Sequence, residues 1–266
     1  MIKANNIKVT LNGKNILHGV DFIALPGQVT AIVGPNGSGK STLIKALTQE
    51  LSYTGSMEIN GQQIGSYRPW ELAAIRGVLP QSATLAFPFT VNEVLRLGLM
   101  AGIHGEKDHL VADALSIVGL SGYGNRAFQD LSGGEQQRAH LARVLCQVWD
   151  PQLDGQPRWL FLDEPVASLD IGHQLLVIQC LRSYANRGGG VITVMHDLNL
   201  TSMIADQVAM VAQGKIIKAG ATHDVLTDAV LSQAYGCRLR TNHVPESCRG
   251  FLLPQSAMIE SADTFA

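Results

Sequence analysis

A glycine-rich stretch near the N-terminus has the residue types and spacing needed to hold a polyphosphate. It fits the pattern Gly-x4-Gly-Lys-Ser/Thr and consists of Gly34, Pro35, Asn36, Gly37, Ser38, Gly39, Lys40, Ser41 and Thr42. The glycines let backbone N–H groups point inward, and the dipole of a following helix adds positive potential at the same point. Lys40 supplies a full charge for the β- and γ-phosphates, while the Ser41 and Thr42 hydroxyls suit Mg²⁺ and a phosphate oxygen. The stretch therefore predicts a nucleoside triphosphate site.

The flanking residues supply the elements that this loop needs. Residues 29–33 are apolar and predict a short buried strand, and residues 41–50 predict a helix with Leu43, Ile44 and Leu47 on one face. A strand before the loop and a helix after it are the context in which the pattern binds phosphate.

Further polar residues follow three other apolar runs. Asp163 and Glu164 come after residues 160–162, His196 follows residues 191–194, and Gln81 ends the run 76–80. Ligands of α/β proteins bind at the carboxyl ends of the strands. Near a phosphate loop, the first carboxylate is suited to hold Mg²⁺ through a water and the second to orient and deprotonate an attacking water. In isolation, an acidic pair is more often an ordinary turn, and a single histidine is more often a surface or core residue, than a functional site.

A second glycine-containing motif opens a predicted helix that runs to about residue 149. Ser132 and Glu135 have the spacing of a capping box, which stabilises the first turn of a helix. Gly133 and Gly134 leave the backbone bare at the same helix N-terminus, which is a feature of anion sites. The motif is compatible with both readings.

Composition limits the classes of function. The chain has 266 residues, a formal net charge of −2 and no basic run, which argues against nucleic-acid binding. Its four cysteines lie far apart without a Cys-x-x-Cys pair, so neither a zinc site nor a redox motif is indicated. No signal-peptide pattern and no run of about 18 apolar residues occurs, so we expect no membrane span.

The order of strand and helix patterns predicts an α/β fold with a mainly parallel sheet covered on both faces. An antiparallel β-subdomain precedes it, and a helical segment interrupts it. We expect a nucleotide-binding core at residues 1–81 and 150–236, a helical subdomain at 82–149 and a C-terminal extension at 237–266.

Taken together, the motifs resemble those of ABC transporter ATPases. The resemblance covers about residues 2–235 and is carried by residues 34–42, Gln81, residues 131–138 (Leu-Ser-Gly-Gly-Glu-Gln-Gln-Arg), residues 160–164, Asp170 and His196. It implies the P-loop NTPase fold of the ABC type, with ATP and Mg²⁺ as ligands.

The resemblance also implies a role for each matching residue. Gln81 is similar to the glutamine that senses Mg²⁺ and the permease. Asp163 is similar to the magnesium-binding aspartate, which with Ser41 and Gln81 completes the metal set. Glu164 is similar to the catalytic glutamate, and His196 to the histidine that contacts the γ-phosphate.

Family membership would imply a head-to-tail dimer of two copies of the chain. Ser132, Gly133 and Gly134 are similar to the signature that closes on ATP bound to the other subunit, and Asp170 to a residue at the dimer seam. One departure is Leu11, which stands where the family often has an aromatic residue that stacks on adenine.

The sequence His-Asp-Leu-Asn-Leu at 196–200 resembles that of the importer branch for iron chelates and cobalamin. Together, residues 76–82, the segment 85–89 and the long loop between Trp149 and Trp159 resemble the ATPase subunits of bacterial haemin importers. The resemblance implies two permease subunits and a periplasmic substrate-binding protein as partners, and a peripheral location on the cytoplasmic face of the bacterial inner membrane. A ferric siderophore or cobalamin importer and a soluble ATPase of iron–sulfur assembly remain alternatives.

The apolar segment after Gln81 is a candidate docking surface for the permease. It contains Leu85, Ala86, Phe87, Pro88 and Phe89. The alternative is that Phe87 and Phe89 pack inside the helical subdomain.

Overall fold

The described residues form two main sheets and a separate two-stranded hairpin, with helices packed around the main sheets. The computed structural model describes residues 1–81, 87–103, 105–244 and 253–257. Its strands are β1 (Ile2–Leu11), β2 (Lys14–Ala24), β3 (Val29–Val33), β4 (Thr54–Ile59), β5 (Gln62–Gln63), β6 (Arg76–Leu79), β7 (Gln152–Leu153), β8 (Gln156–Pro157), β9 (Trp159–Asp163), β10 (Gly190–Val194), β11 (Gln207–Ala212) and β12 (Lys215–Ala221). Its helices are α1 (Lys40–Leu47), α2 (Pro69–Ile75), α3 (Val91–Ala101), α4 (His109–Ile117), α5 (Gly133–Gln147), α6 (Ile171–Asn186), α7 (Leu198–Ile204), α8 (Thr222–Val225) and α9 (Asp228–Tyr235).

The smaller sheet is antiparallel, with the strand order β2-β1-β4-β5. Asn12 and Gly13 join β1 to β2, and both have positive φ angles, as a type I′ hairpin turn requires. The larger sheet has the order β12-β11-β3-β10-β9-β6, and β12 pairs antiparallel to the otherwise parallel strands. This arrangement confirms the predicted α/β class.

Two apolar layers cover the larger sheet. Leu160 and Leu162 of β9 point into the layer that holds α3, α5 and α6, whereas Trp159 and Phe161 point into the layer formed with α1 and the smaller sheet. All four side chains are buried. A central parallel strand reads as a continuous apolar run for this reason, because both of its faces are covered.

The parallel register brings the candidate site residues to one edge. Val194 of β10 lies beside Ile32 of β3 on one side and beside Asp163 of β9 on the other. Leu79 of β6 pairs with Leu162. The segments that follow these strands therefore leave the sheet side by side.

The long loop before Trp159 contains the small hairpin β7–β8. Asn60, in a turn of the smaller sheet, donates from Nδ2 to the Pro157 carbonyl (2.9 Å) and accepts from Trp159 Nε1 (3.0 Å). Asn60 thus connects the smaller sheet both to this loop and to β9 of the larger sheet. The domain boundaries remain a prediction.

At the other end of the chain, Gln255 Nε2 donates to the Asn199 carbonyl and to Ser202 Oγ, both at 3.1 Å. This contact places part of the C-terminal extension on α7. Within the described part of the chain, no helix combines the length and the apolar character needed to cross a bilayer.

Candidate active site

The predicted phosphate loop links β3 to α1, as the sequence pattern requires. Gly34 has a φ of 147°, and a β-carbon at this position would lie 2.0 Å from the Val211 carbonyl oxygen, so only glycine fits. Gly39 is the N-cap of α1 with a φ of 108°, and among the described residues no side chain caps this helix. The first N–H groups of α1 are therefore left for a ligand, and the helix dipole favours an anion.

Lys40 lies between this loop and the acidic residues. Its side chain is buried, and Nζ donates to the carbonyls of Gly34 (2.9 Å) and Pro35 (3.0 Å). Burial lowers the pKa of Lys40, and the carboxylates of Glu164 and Asp163 oppose that shift. The ammonium group is therefore held on the loop, where a phosphate would satisfy it.

Asp163 ends β9 and faces the first turn of α1. Its Oδ1 lies 3.5 Å from Ser41 Oγ, and its Oδ2 is buried without a hydrogen-bond partner among the described residues. Burial, followed by repulsion from Glu164, raises the pKa of Asp163. A hydroxyl and a carboxylate with an unsatisfied oxygen are hard ligands that suit a small divalent cation such as Mg²⁺.

Glu164 has an unusual backbone conformation. Its φ is 57°, in the left-handed region, which costs about 1–3 kcal/mol for a residue other than glycine. Its backbone N–H donates to the Val194 carbonyl (3.2 Å), and its Oε1 lies 2.5 Å from Nε2 of the His196 side chain. The surrounding strands therefore turn this carboxylate out of the sheet toward the histidine.

Lys40, Ser41 and Glu164 border one cleft of about 730 Å³, whereas Asp163 lies behind Ser41 and is not among the lining residues. Besides loop residues, it is lined by Gln81, Glu164, His196 and Ile16. Leu11, the residue at the position where the family often has an aromatic side chain, packs against the apolar layer beside the smaller sheet. Ile16 is thus the aliphatic residue of the hairpin that borders the cleft.

The second glycine motif lies elsewhere. Ser132 Oγ accepts from the Glu135 N–H, and the Glu135 carboxylate accepts from the Ser132 N–H, which completes the predicted capping box. Ser132 and Gly133 are exposed, and neither they nor Gly134 line the cleft. Asp170 caps α6 and bonds to His173 Nδ1 (2.7 Å), also outside the cleft. Within one chain, the structure therefore joins Gln81, Glu164 and His196 with the phosphate loop, but not with these residues.

Two contributors were missed by sequence reasoning. Ile16 lies in an ordinary alternating strand, and nothing in its neighbours distinguishes it. Gln137 donates from Nε2 to the Glu164 carbonyl (3.3 Å). Its place in the motif at residues 131–138 was the available signal, although the motif alone does not indicate which group the amide contacts.

Comparisons with known proteins identify the family and relatives of this chain. Residues 17–167 match the ABC transporter family. The chain is 59% identical over 257 residues to the hemin import ATP-binding protein HmuV of Jannaschia sp. strain CCS1, covering 97% of this chain and 95% of that protein. It is 53% identical over 262 residues to the protein of the same name from Mesorhizobium japonicum, covering 97% of this chain and 100% of that protein.

Solved structures share the fold. An ATP-binding subunit of an ABC transporter superimposes with a TM-score of 0.74 at 21% identity, covering 90% of this chain and 94% of that one. A nucleotide-free ATP-binding cassette from an ABC transporter gives a TM-score of 0.73 at 24% identity, with 88% and 98% covered. With a family match over residues 17–167 and relatives above 50% identity along nearly the whole chain, this protein belongs to the ABC transporter family.

Proposed function

We propose that this chain is the ATP-hydrolysing subunit of a bacterial haemin importer. The observation that carries the ATPase part is the single cleft in which the phosphate loop, Gln81, Glu164 and His196 meet. The substrate rests on the relatives, which are named for hemin import and align over nearly their full length. No residue of this chain needs to contact haemin, because the transported molecule passes through the membrane partner.

ATP fits the cleft through its triphosphate. The uncapped N-terminus of α1 and the Lys40 ammonium take the β- and γ-phosphates. Ser41, Asp163 and Gln81 would hold Mg²⁺, Asp163 through a water. When bound, the ion would neutralise charge on the transferred phosphoryl group.

Glu164 is the proposed general base. Its carboxylate, turned outward by the left-handed backbone, orients a water in line with the γ-phosphate and accepts its proton. His196, which bonds to Glu164 in the structure, donates instead to a γ-phosphate oxygen once ATP occupies the cleft. The exchange of this hydrogen bond would make the base available only when nucleotide is present.

The complete site requires a second copy of the chain. Because Ser132, Gly133 and Gly134 lie outside the cleft, we place them on the γ-phosphate of ATP held by the other subunit of a head-to-tail dimer, with Asp170 at the seam. Two permease subunits and, through them, a periplasmic binding protein complete the importer. This assembly would hold the chain peripherally at the cytoplasmic face of the inner membrane.

The decisive experiment is Glu164→Gln in the importer reconstituted with its permease and binding protein. Loss of the base should lower ATP hydrolysis by about 10²–10⁴-fold, while ATP binding persists. ATP-dependent haemin uptake into vesicles should stop. Glu106→Gln, at an exposed carboxylate, is the matched control and should retain uptake.

Wild-type turnover in Glu164→Gln would remove this residue as the base. Uptake of cobalamin or a ferric siderophore by the wild-type importer, without uptake of haemin, would overturn the substrate assignment.

A further inference from the structure

A hydrogen bond connects α5 to the backbone of the proposed catalytic glutamate. Gln137 Nε2 donates to the Glu164 carbonyl oxygen at 3.3 Å, and both residues are half-buried. Gln137 lies on α5 just over one turn beyond the N-cap Ser132. The helix that begins with the exposed glycine motif therefore contacts the residue whose carboxylate enters the cleft.

The Glu164 peptide is held from several directions. Its carbonyl also accepts from the Ala167 N–H (3.2 Å), and its own N–H donates to the Val194 carbonyl (3.2 Å). The backbone has a φ of 57°, a conformation that persists only where neighbouring groups impose it. Gln137 is the side chain that fixes this carbonyl, and the direction of the carboxylate depends on the same backbone torsions.

A second contact joins the same two segments. Gly134 has no side chain, but a β-carbon built on it would lie 3.2 Å from Leu169 Cδ2 and 3.6 Å from the Ser168 carbonyl oxygen. The first turn of α5 thus packs on the loop that follows Glu164. A displacement of the helix N-terminus is transmitted to this loop through packing and through the Gln137 amide.

In the head-to-tail dimer of the proposed function, on which this inference rests, the same chain serves two ATP sites. Glu164 acts on ATP held by its own phosphate loop, whereas the start of α5 contacts ATP held by the other subunit. One chain therefore contributes to both sites, and the Gln137 hydrogen bond lies between the two contributions. We propose that Gln137 is a positioning residue that couples the two ATP sites. When α5 binds the ATP held by the other subunit, the Gln137 hydrogen bond sets the backbone of Glu164 in its own chain, which acts on the second ATP.

The coupling has a measurable form. If engagement of one site promotes activity at the other, ATP hydrolysis depends on ATP concentration with a Hill coefficient above one. Removing the Gln137 amide should lower kcat by about three- to tenfold, the range expected for one neutral hydrogen bond. The ATP concentration at half-maximal rate should change by less than about twofold, since Gln137 is not among the residues that line the cleft. The Hill coefficient should fall toward one.

The test uses the ATPase–permease complex carrying Gln137→Met, which keeps the length of the side chain and removes the donor. Gln137→Glu serves as a second variant that also lacks the amide donor, in case methionine alters packing. The matched control is Gln147→Met on the same helix, whose amide donates to the Ala73 and Arg76 carbonyls at 2.9 and 3.0 Å. The control should change thermal stability as much as Gln137→Met does, but should keep the wild-type Hill coefficient.

Each result bears on the inference. A joint fall of kcat and Hill coefficient in both Gln137 variants, absent from Gln147→Met, supports it. An unchanged kcat, a lowered kcat with unchanged cooperativity, or a wild-type Hill coefficient of one would overturn it. Cooperative hydrolysis without haemin uptake would refute the proposed substrate alone, whereas haemin uptake with no effect of Gln137→Met would refute the coupling alone.

Discussion

The two helix N-termini that the sequence marks as anion sites differ in how they are stabilised. At α1, Gly39 is the N-cap, no described side chain caps the helix, and Lys40 is folded onto the loop carbonyls. At α5, Ser132 and Glu135 form a complete capping box, and the hydrogen bonds to Ser132 lower the pKa of the Glu135 carboxyl. The first terminus lines the deep cleft, and the second is exposed.

The difference indicates which site needs a ligand. An uncapped first turn beside a buried ammonium leaves several donors unsatisfied, so a triphosphate supplies what the chain lacks. At α5 the capping box satisfies the N–H groups of Ser132 and Glu135, so this terminus depends less on a ligand than the terminus of α1 does. We infer that the α1 terminus binds ATP in the isolated subunit and that the α5 terminus contributes only on dimerisation.

Among the changes that distinguish the two helix N-termini, loss of the Lys40 charge should have the largest effect on ATP binding. Lys40→Ala should weaken ATP binding to the isolated subunit by about 10- to 100-fold, since charged hydrogen bonds contribute roughly 1.5–3 kcal/mol. Equilibrium titration with a fluorescent ATP analogue measures the change, and Lys107→Ala, at an exposed lysine, is the control. Unchanged affinity in Lys40→Ala would remove the distinction between the two termini.

A change at Ser132 should act on the dimer alone. Ser132→Arg should leave ATP affinity of the isolated subunit near wild type and abolish ATP-driven dimerisation, because the arginine occupies the space at the exposed N-terminus. Thr90→Arg is the matched control, since Thr90 caps α3 with an equivalent capping box to Glu93. Both variants lose a cap, at a cost of about 1 kcal/mol.

Each variant is combined with Glu164→Gln, and light scattering in the presence of ATP measures its dimerisation. Mixing Ser132→Arg subunits with Lys40→Ala subunits should leave at most one intact composite site in each heterodimer. ATP-driven dimers that form equally well with Ser132→Arg would contradict the action in trans.

The sequence predicts the fold class and the cleft because each depends on a local pattern. The loop 34–42 and the end of β9 carry their chemistry in adjacent residues, and parallel strands bring such ends together. The contact between Asn60 and Trp159 joins residues almost a hundred positions apart, and no local pattern encodes it. Ile16 lining the cleft and Gln137 contacting the Glu164 carbonyl likewise depend on tertiary packing.

The two aromatic residues of the candidate docking segment differ in their exposure to solvent. Leu85 and Ala86 lie outside the described residues, Phe87 is 70% exposed, and Phe89 packs against the apolar layer that includes α3 and α5. The alternative that both aromatic side chains pack inside the helical segment is therefore wrong for Phe87. The rings still meet edge to face, with centroids 6.2 Å apart.

The two aromatic positions should consequently respond differently to serine. Phe87→Ser should weaken assembly with the permease by about tenfold, which corresponds to about 1.5 kcal/mol for burial of one aromatic side chain, and should preserve thermal stability. Phe89→Ser should lower the melting temperature, because it removes apolar contacts from the interior. Co-purification and thermal unfolding separate the two, and normal assembly of Phe87→Ser would exclude docking through this side chain.

The smallest expected effect concerns Asp163, the buried carboxylate that ends β9 beside the first turn of α1. Burial and the neighbouring Glu164 raise the pKa of Asp163 above its ordinary value of 3.8, so the folded state binds this proton more tightly than the unfolded chain. Ionised Asp163 therefore destabilises the fold at every pH above its folded-state pKa, and this cost disappears as the pH falls below about 3.8.

Asp163→Asn should raise the melting temperature at pH 7 by about 2–4 °C, or roughly 1 kcal/mol in a chain of this size, and lose Mg²⁺-dependent hydrolysis. The gain should shrink as the pH is lowered toward 4, whereas the exposed Asp113→Asn should show no such trend. A melting temperature for Asp163→Asn below that of the wild type at pH 7 would indicate that the carboxylate stabilises the fold. That result would contradict the prediction that the ionised carboxylate is destabilising when no cation is bound.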